Sequence, residues 1–152
     1  MLIIRGLFSV ATLRRLTLDD QTAILALWQR AGLPSIRPEG RDSRSEFAQQ
    51  LAGGQVAIGL EEGGRLIGVV LATHDTRKGW INRLAIDPDF RRKGYGEQLA
   101  CAAEEALREA GMKVIAAFIE EGNTASLALF EKLGYAVHQN IYYVSKRDSN
   151  EA

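Results

Sequence analysis

Arg91-Arg92-Lys93-Gly94-Tyr95-Gly96 sets three consecutive cations against two glycines, directly before a stretch with helical apolar spacing. A helix start leaves four backbone N–H groups without intrahelical partners and carries the positive end of the macrodipole, which suits an anion. Gly94 and Gly96 remove side chains that would hold a phosphate away from those groups, and Arg91, Arg92 and Lys93 add local charge. Taken alone, the hexapeptide equally fits a solvated basic turn whose glycines only serve backbone geometry. It is not a dinucleotide fingerprint, which needs a third glycine where Leu99 stands, nor a P-loop, which ends in Gly-Lys-Ser/Thr.

The elements that would position this turn can be read from periodicity. Residues 11–16 are extended, and Thr17 with Asp20 forms a capping box for a helix. Its stripe of Ala23, Ile24, Leu27, Trp28 and Ala31 stops at Gly32 and Pro34, and Trp28 reads as core. After a polar loop over 32–42, Ser43 and Glu46 open a short helix carrying Phe47 and Leu51. Residues 56–60 and 66–73, joined by Glu62-Gly63-Gly64, predict a β-hairpin, and 80–87 a third antiparallel strand closed by Pro88. On that strand Asn82 alternates with Trp80 and Leu84 on one face, and Arg83 takes the other. A helix over 95–110 buries small residues, Cys101 packing among them. A strand over 114–119, a helix over 125–133 stopped by Gly134, and a final hairpin over 135–137 and 141–145 complete the chain. This is an α/β fold: a mixed, mostly antiparallel sheet in three layers with helices on both faces.

A chain of 152 residues with 46% hydrophobic content fits one domain over 1–152. Residues 1–10 extend the first strand and 147–152 form a flexible tail. Lys and Arg total 19 and Asp and Glu total 19, so no global charge draws the chain toward nucleic acid or an anionic membrane. The single cysteine excludes a disulfide framework and a cysteine zinc cluster, no metal site is visible, and a cytoplasmic setting fits. The apolar opening segment is too short to span a bilayer.

These residues resemble the GNAT superfamily of N-acetyltransferases. Arg91-Arg92-Lys93-Gly94-Tyr95-Gly96 matches that family's Arg/Gln-x-x-Gly-x-Gly/Ala signature, Leu84-Ala85-Ile86-Asp87-Pro88 supplies the preceding strand end, and residues 123–135 resemble its downstream motif. The resemblance implies one acetyltransferase domain with a splayed central strand pair and acetyl-CoA as co-substrate. Backbone N–H groups from Arg92 to Gly96 would take the pyrophosphate, with Arg91 beside them. The backbone of Leu84, Ala85 and Ile86 would pair with the pantetheine amides as an added strand, helped by a bulge near Leu84. Asn123 and Ser126 would lie beside the pantetheine arm, although Asn123 can equally cap its helix and Ser126 carries no more than an even case. The partners implied are acetyl-CoA and an amine acceptor, with a homodimer accommodated through the last hairpin or an edge strand.

The proton-handling positions depart from the family. Phe130 stands where many members carry tyrosine, and Trp80 and Phe118 where others carry glutamate. The backbone N–H of Leu84 is the expected oxyanion donor; Glu120, Tyr142 and Tyr143 are the remaining candidates for proton transfer. Glu120 would share a strand face with Phe118, and only one of the two tyrosines can face the cleft. The acceptor pocket is expected between residues 32–52 and the final hairpin, with Trp80, Phe118 and Phe130 making it partly apolar. Two functions stay open at this point: acetyl transfer to a primary amine, and a non-catalytic acyl-CoA-binding or sensing module.

Overall fold

The computed structural model describes residues 10–152, so the expected N-terminal extension of the first strand lies almost wholly outside the described residues. Among the described residues five strands form one sheet in sequential order: β1 (Thr12–Arg15), β2 (Val56–Glu62), β3 (Arg65–His74), β4 (Gly79–Ile86) and β5 (Ile115–Ala116). The first four pair antiparallel; β5 runs parallel to β4. Helices α1 (Gln21–Arg30) and α2 (Arg44–Ala52) cover one face, and α3 (Tyr95–Glu109) and α4 (Thr124–Lys132) the other. The three-layer expectation holds.

Each face has its own core. Trp28, Leu27, Phe47, Val69 and Ala85 fill the α1/α2 side; Leu99, Ala103, Leu107, Ile81 and Phe130 fill the α3/α4 side. Local chemistry starts the helices as expected: Asp20 accepts the Thr17 N–H at 2.8 Å, and Ser43 Oγ accepts the Glu46 N–H at 3.3 Å. Helix α3 packs tightly on β4 because Gly79 has no side chain. A Cβ there would sit 2.9 Å from Leu107 Cδ1 and 3.2 Å from Leu107 Cβ.

Three expectations about the second half need correction. β5 is two residues long, not six, because it leaves β4 after Ala116. The final hairpin is absent: Gly134 N–H reaches Glu131 C=O and Tyr135 N–H reaches Phe130 C=O at 2.9 Å, closing α4 with a left-handed glycine turn. Tyr135 therefore belongs to the helix cap, its ring edge-on to Phe130 at 5.0 Å and its hydroxyl donating to Glu104 at 2.8 Å. Residues 135–145 form no strand, and Ile141, Tyr142 and Val144 are exposed. Cys101 lies on the exposed side of α3 rather than in its packing.

Close approach of α3 to β4 makes Gly79 a sensitive position. Gly79→Ala should lower stability by about 1–3 kcal/mol through overpacking against Leu107, read as a shifted denaturant midpoint with unchanged slope.

Candidate functional site

The site is built where β4 breaks its own register. Val69 pairs with Ala85 and Leu71 with Asn82, so Arg83 and Leu84 together stand opposite Val70. That is a β-bulge, and Arg83 adopts φ +55 within it. The extra residue reverses the alternation: Ile81 faces the α3 core, yet Ala85, four residues on, faces the α1/α2 core. The expected sharing of one face by Asn82 and Leu84 is therefore wrong. Leu84 and Ile86 pack toward α3, whereas Asn82 bonds Thr73 Oγ1 at 2.9 Å and Arg83 turns to the α1 side.

Beside the bulge the sheet opens. Among the described residues, β5 pairs with β4 only at Gly79 and Trp80, leaving the edge from Ile81 to Ile86 with no strand partner on that side. This is the splayed pair expected from the sequence, with Leu84, Ala85 and Ile86 along its free edge.

Asp87 fixes how β4 leaves the sheet. It is 1% exposed, and its N–H donates to Ile67 C=O at 2.8 Å. Its carboxylate accepts from Arg65 Nη2 at 2.8 Å, Arg30 Nε at 3.1 Å and the Asp89 N–H at 3.0 Å. Burial pushes its pKa up; the Asp89 amide and the two guanidinium groups outweigh that and hold it below the usual carboxylate range. The chain then passes through a single 3₁₀ turn, Pro88–Phe90, into the basic segment.

In that segment Arg92 has φ +64 and Gly94 φ +77 on either side of Lys93, the alternating handedness from which backbone anion nests are made. Gly94 is the N-cap of α3, and the first helical bond runs from Gln98 N–H to Gly94 C=O at 3.2 Å. Among the described residues, the amides from Arg91 to Glu97 have no protein acceptor. A Cβ on Gly94 would meet nothing within 4 Å, so this face of the turn is open. The three cations differ in their engagement. Arg91 donates to Ala31 C=O at the end of α1 at 3.1 Å, and Lys93 Nζ lies 5.3 Å from the centroid of Phe90. Arg92 makes no side-chain bond or ion pair among the described residues.

Other predicted residues are sorted by the same geometry. Asn123 Oδ1 accepts the Ser126 N–H at 3.2 Å, so Asn123 caps α4. Phe130 is 5% exposed inside the α3 core. It does not join Trp80 and Phe118, which stack at 4.9 Å with planes 16° apart. Tyr143 comes to 5.1 Å from Phe118, although both are largely exposed, at 70% and 66%, and Tyr142 is 93% exposed. Glu120 lies past the end of β5, so the strand-face argument does not apply; its carbonyl accepts the Asn123 N–H at 3.1 Å.

On the α1/α2 face a small hollow of about 10 Å³, room for about one water, is lined by Gln21, Trp28, Arg41, Asp42, Phe47 and Leu71, among others. The expected loop and short helix contribute to it; residues 135–145 do not. At the tail, Arg37 Nε donates to Asn150 C=O at 2.8 Å. Among the described residues no helix is long and apolar enough to cross a membrane, and no group of three or more His, Cys, Asp or Glu gathers.

Two residues here were missed from the sequence, Arg83 and Asp87. The signal for Asp87 was local, an Asp-Pro-Asp step fit for a cap. Arg83 gave none, because a bulge leaves no mark on a short apolar strand.

The profile of the Acetyltransferase (GNAT) family matches residues 13–135. An acetyltransferase of Pectobacterium atrosepticum is 30% identical over 118 residues, 77% of this chain and 82% of that one. One from Sodalis glossinidius is 25% identical over 130 residues, covering 85% and 89%. Among solved structures, PaiA N-acetyltransferase from Thermoplasma acidophilum in complex with coenzyme A superposes with TM-score 0.74 at 17% identity, over 87% of this chain and 93% of that one. The ribosomal-protein-S18-alanine N-acetyltransferase of Escherichia coli gives 0.70 at 23% identity, over 82% and 77%.

The buried Asp87 carries a pH signature. A depressed folded pKa contributes stability that is present above the ordinary carboxylate value of about 3.9 and lost as pH falls through the folded value. Asp87→Asn should cost about 1–3 kcal/mol at pH 7, toward the lower figure because both arginines are partly exposed. The gap from the parent should close as acid titrates Asp87, as checked by denaturant unfolding across pH.

Proposed function

Because the chain belongs to the acetyltransferase (GNAT) family and is an N-acetyltransferase, we propose that it transfers an acetyl group from acetyl-CoA to a primary amine of a small molecule or protein, by direct attack in a ternary complex. The observation that carries this reading is the run of unpartnered amides from Arg91 to Glu97, placed at the exit of a bulged, open strand edge. Charge-assisted N–H bonds to phosphate oxygens are among the stronger hydrogen bonds, and Gly94 leaves room for them.

In this reading the amides of Arg92, Lys93, Gly94, Tyr95 and Gly96 receive the pyrophosphate. Arg92 and Lys93 supply charge, while Arg91 serves the turn by tying it to α1. Leu84, Ala85 and Ile86 offer backbone groups to the pantetheine amides, and the Leu84 N–H faces the carbonyl oxygen as it becomes an oxyanion. When bound, acetyl-CoA supplies an activated thioester. The neutral amine attacks its carbonyl carbon, a C–N bond forms, and the C–S bond breaks. The amine's proton is lost to water, and the departing thiolate takes up a proton from a donor on the protein. Asn123 is committed to its helix cap and Phe130 has no hydroxyl, so neither moves this proton. Of Glu120, Tyr142 and Tyr143, only Tyr143 lies against the Trp80–Phe118 pair beside the splay, which supports it as the proton donor.

The acceptor is not chosen by the fold. A structural neighbour at TM-score 0.71 and 17% identity is the aminoglycoside N-acetyltransferase AAC(6')-Iy, and another is the ribosomal-protein enzyme above. An aminoglycoside enzyme and a ribosomal-protein-alanine enzyme thus share this architecture.

Calorimetric titration of acetyl-CoA should show binding that Gly94→Trp weakens by at least about tenfold, since each lost charge-assisted bond is worth about 1.5–3 kcal/mol. Thiol release should depend on an added amine; binding without release across a broad amine panel would point to the sensing module instead. Tyr143→Phe should lower kcat roughly a hundredfold at unchanged acetyl-CoA affinity, with Tyr142→Phe close to the parent; equal rates in both variants would remove Tyr143 from the mechanism.

A further inference from the structure

Arg83 touches both halves of the molecule that the reaction must bring together. Its backbone is the left-handed residue of the bulge, directly before Leu84 at the open edge of β4. Its guanidinium donates to Pro34 C=O at 3.2 Å and Ser35 C=O at 3.0 Å, pairs with Asp42 at 3.3 Å, and lies 5.1 Å from the centroid of Trp28. The side chain is 16% exposed and that of Asp42 8%. Asp42 in turn accepts the Arg37 N–H at 2.6 Å, so one ion pair gathers both arms of the loop joining α1 to α2.

Nothing in forming the bulge calls for arginine. A positive φ disfavours a long L side chain by about 1–2 kcal/mol, and glycine or asparagine fits more cheaply. What an arginine adds is a rigid fork that can hold two carbonyls and a carboxylate at once, which lysine, as a point charge, cannot. We propose that Arg83 is a positioning residue that couples the cofactor edge of β4 to the α1–α2 loop, so that a ligand seated along Leu84, Ala85 and Ile86 steadies the loop bordering the acceptor pocket. The inference rests on the acetyltransferase reading. A ligand that pairs with the edge restrains the peptide between Arg83 and Leu84. The restraint passes through one stiff side chain to Pro34, Ser35 and Asp42, and the acceptor side becomes ordered after the thioester has bound.

The test is hydrogen exchange of the intact protein with and without saturating acetyl-CoA. In the parent, acetyl-CoA should slow exchange at Leu84, Ala85 and Ile86, at Arg92 to Gly96, and about tenfold over residues 35–43. In Arg83→Gly and Arg83→Asn, both compatible with the positive φ, protection at the first two segments should persist and that over 35–43 should fall below about twofold. A residue that merely staples the loop would leave residues 35–43 indifferent to acetyl-CoA in the parent, and that result overturns the proposal. Loop protection surviving in both variants overturns it as well. Loss of cofactor-segment protection in both variants with the parent intact overturns the proposal too, whereas absence of acetyl-CoA binding to the parent would sink the functional reading, and this inference with it.

Discussion

The one extra residue in β4 sets the geometry of everything around it. A strand alternates its side chains with a period of two, so inserting a residue moves every later side chain to the other face. Ile81 and Ala85 would lie in the same core without the bulge; with it, they serve two different cores. The strand also bends away from β5, which cannot follow it beyond Trp80. Face reversal, open edge and the aim of Arg83 all follow from a single two-against-one pairing.

Asp87 makes that geometry durable. A charge buried this deeply is tolerated only when its oxygens are fully answered. The answers come from three places: Arg30 on α1, Arg65 at the start of β3, and the amide of Asp89 in the turn itself. The carboxylate thus ties the exit of β4 to elements distant in sequence, and the basic turn begins from a fixed point. Arg91 repeats the tie by capping the carbonyl end of α1, where a cation is favoured.

What could be read in advance was what depends on neighbours in sequence. Three cations, two glycines and a following helix are local facts, and so are the capping residues Asp20 and Ser43. The two-sided core followed from helical and strand spacing. The bulge did not, because Ile81-Asn82-Arg83-Leu84-Ala85 shows no break in composition, and the slip is decided by pairing with β3. The final hairpin was misread for a related reason. Ile141-Tyr142-Tyr143-Val144 has strong strand propensity, but propensity supplies no partner, and Tyr135 is already committed to Phe130 and Glu104. The arginine contacts of Asp87 lie 57 and 22 residues away in sequence, beyond the reach of any local pattern.

An unpaired strand edge in the middle of a sheet is ordinarily an invitation to other chains, because its amides and carbonyls will accept any extended backbone. The kink at Arg83 makes this edge selective by length. A foreign strand needs a continuous ladder, and the register that would carry it is broken between Asn82 and Ala85. A short ligand with one or two amides needs only the residues beyond the break. The distortion that leaves this edge free over a few residues therefore also works against a long ladder with another chain.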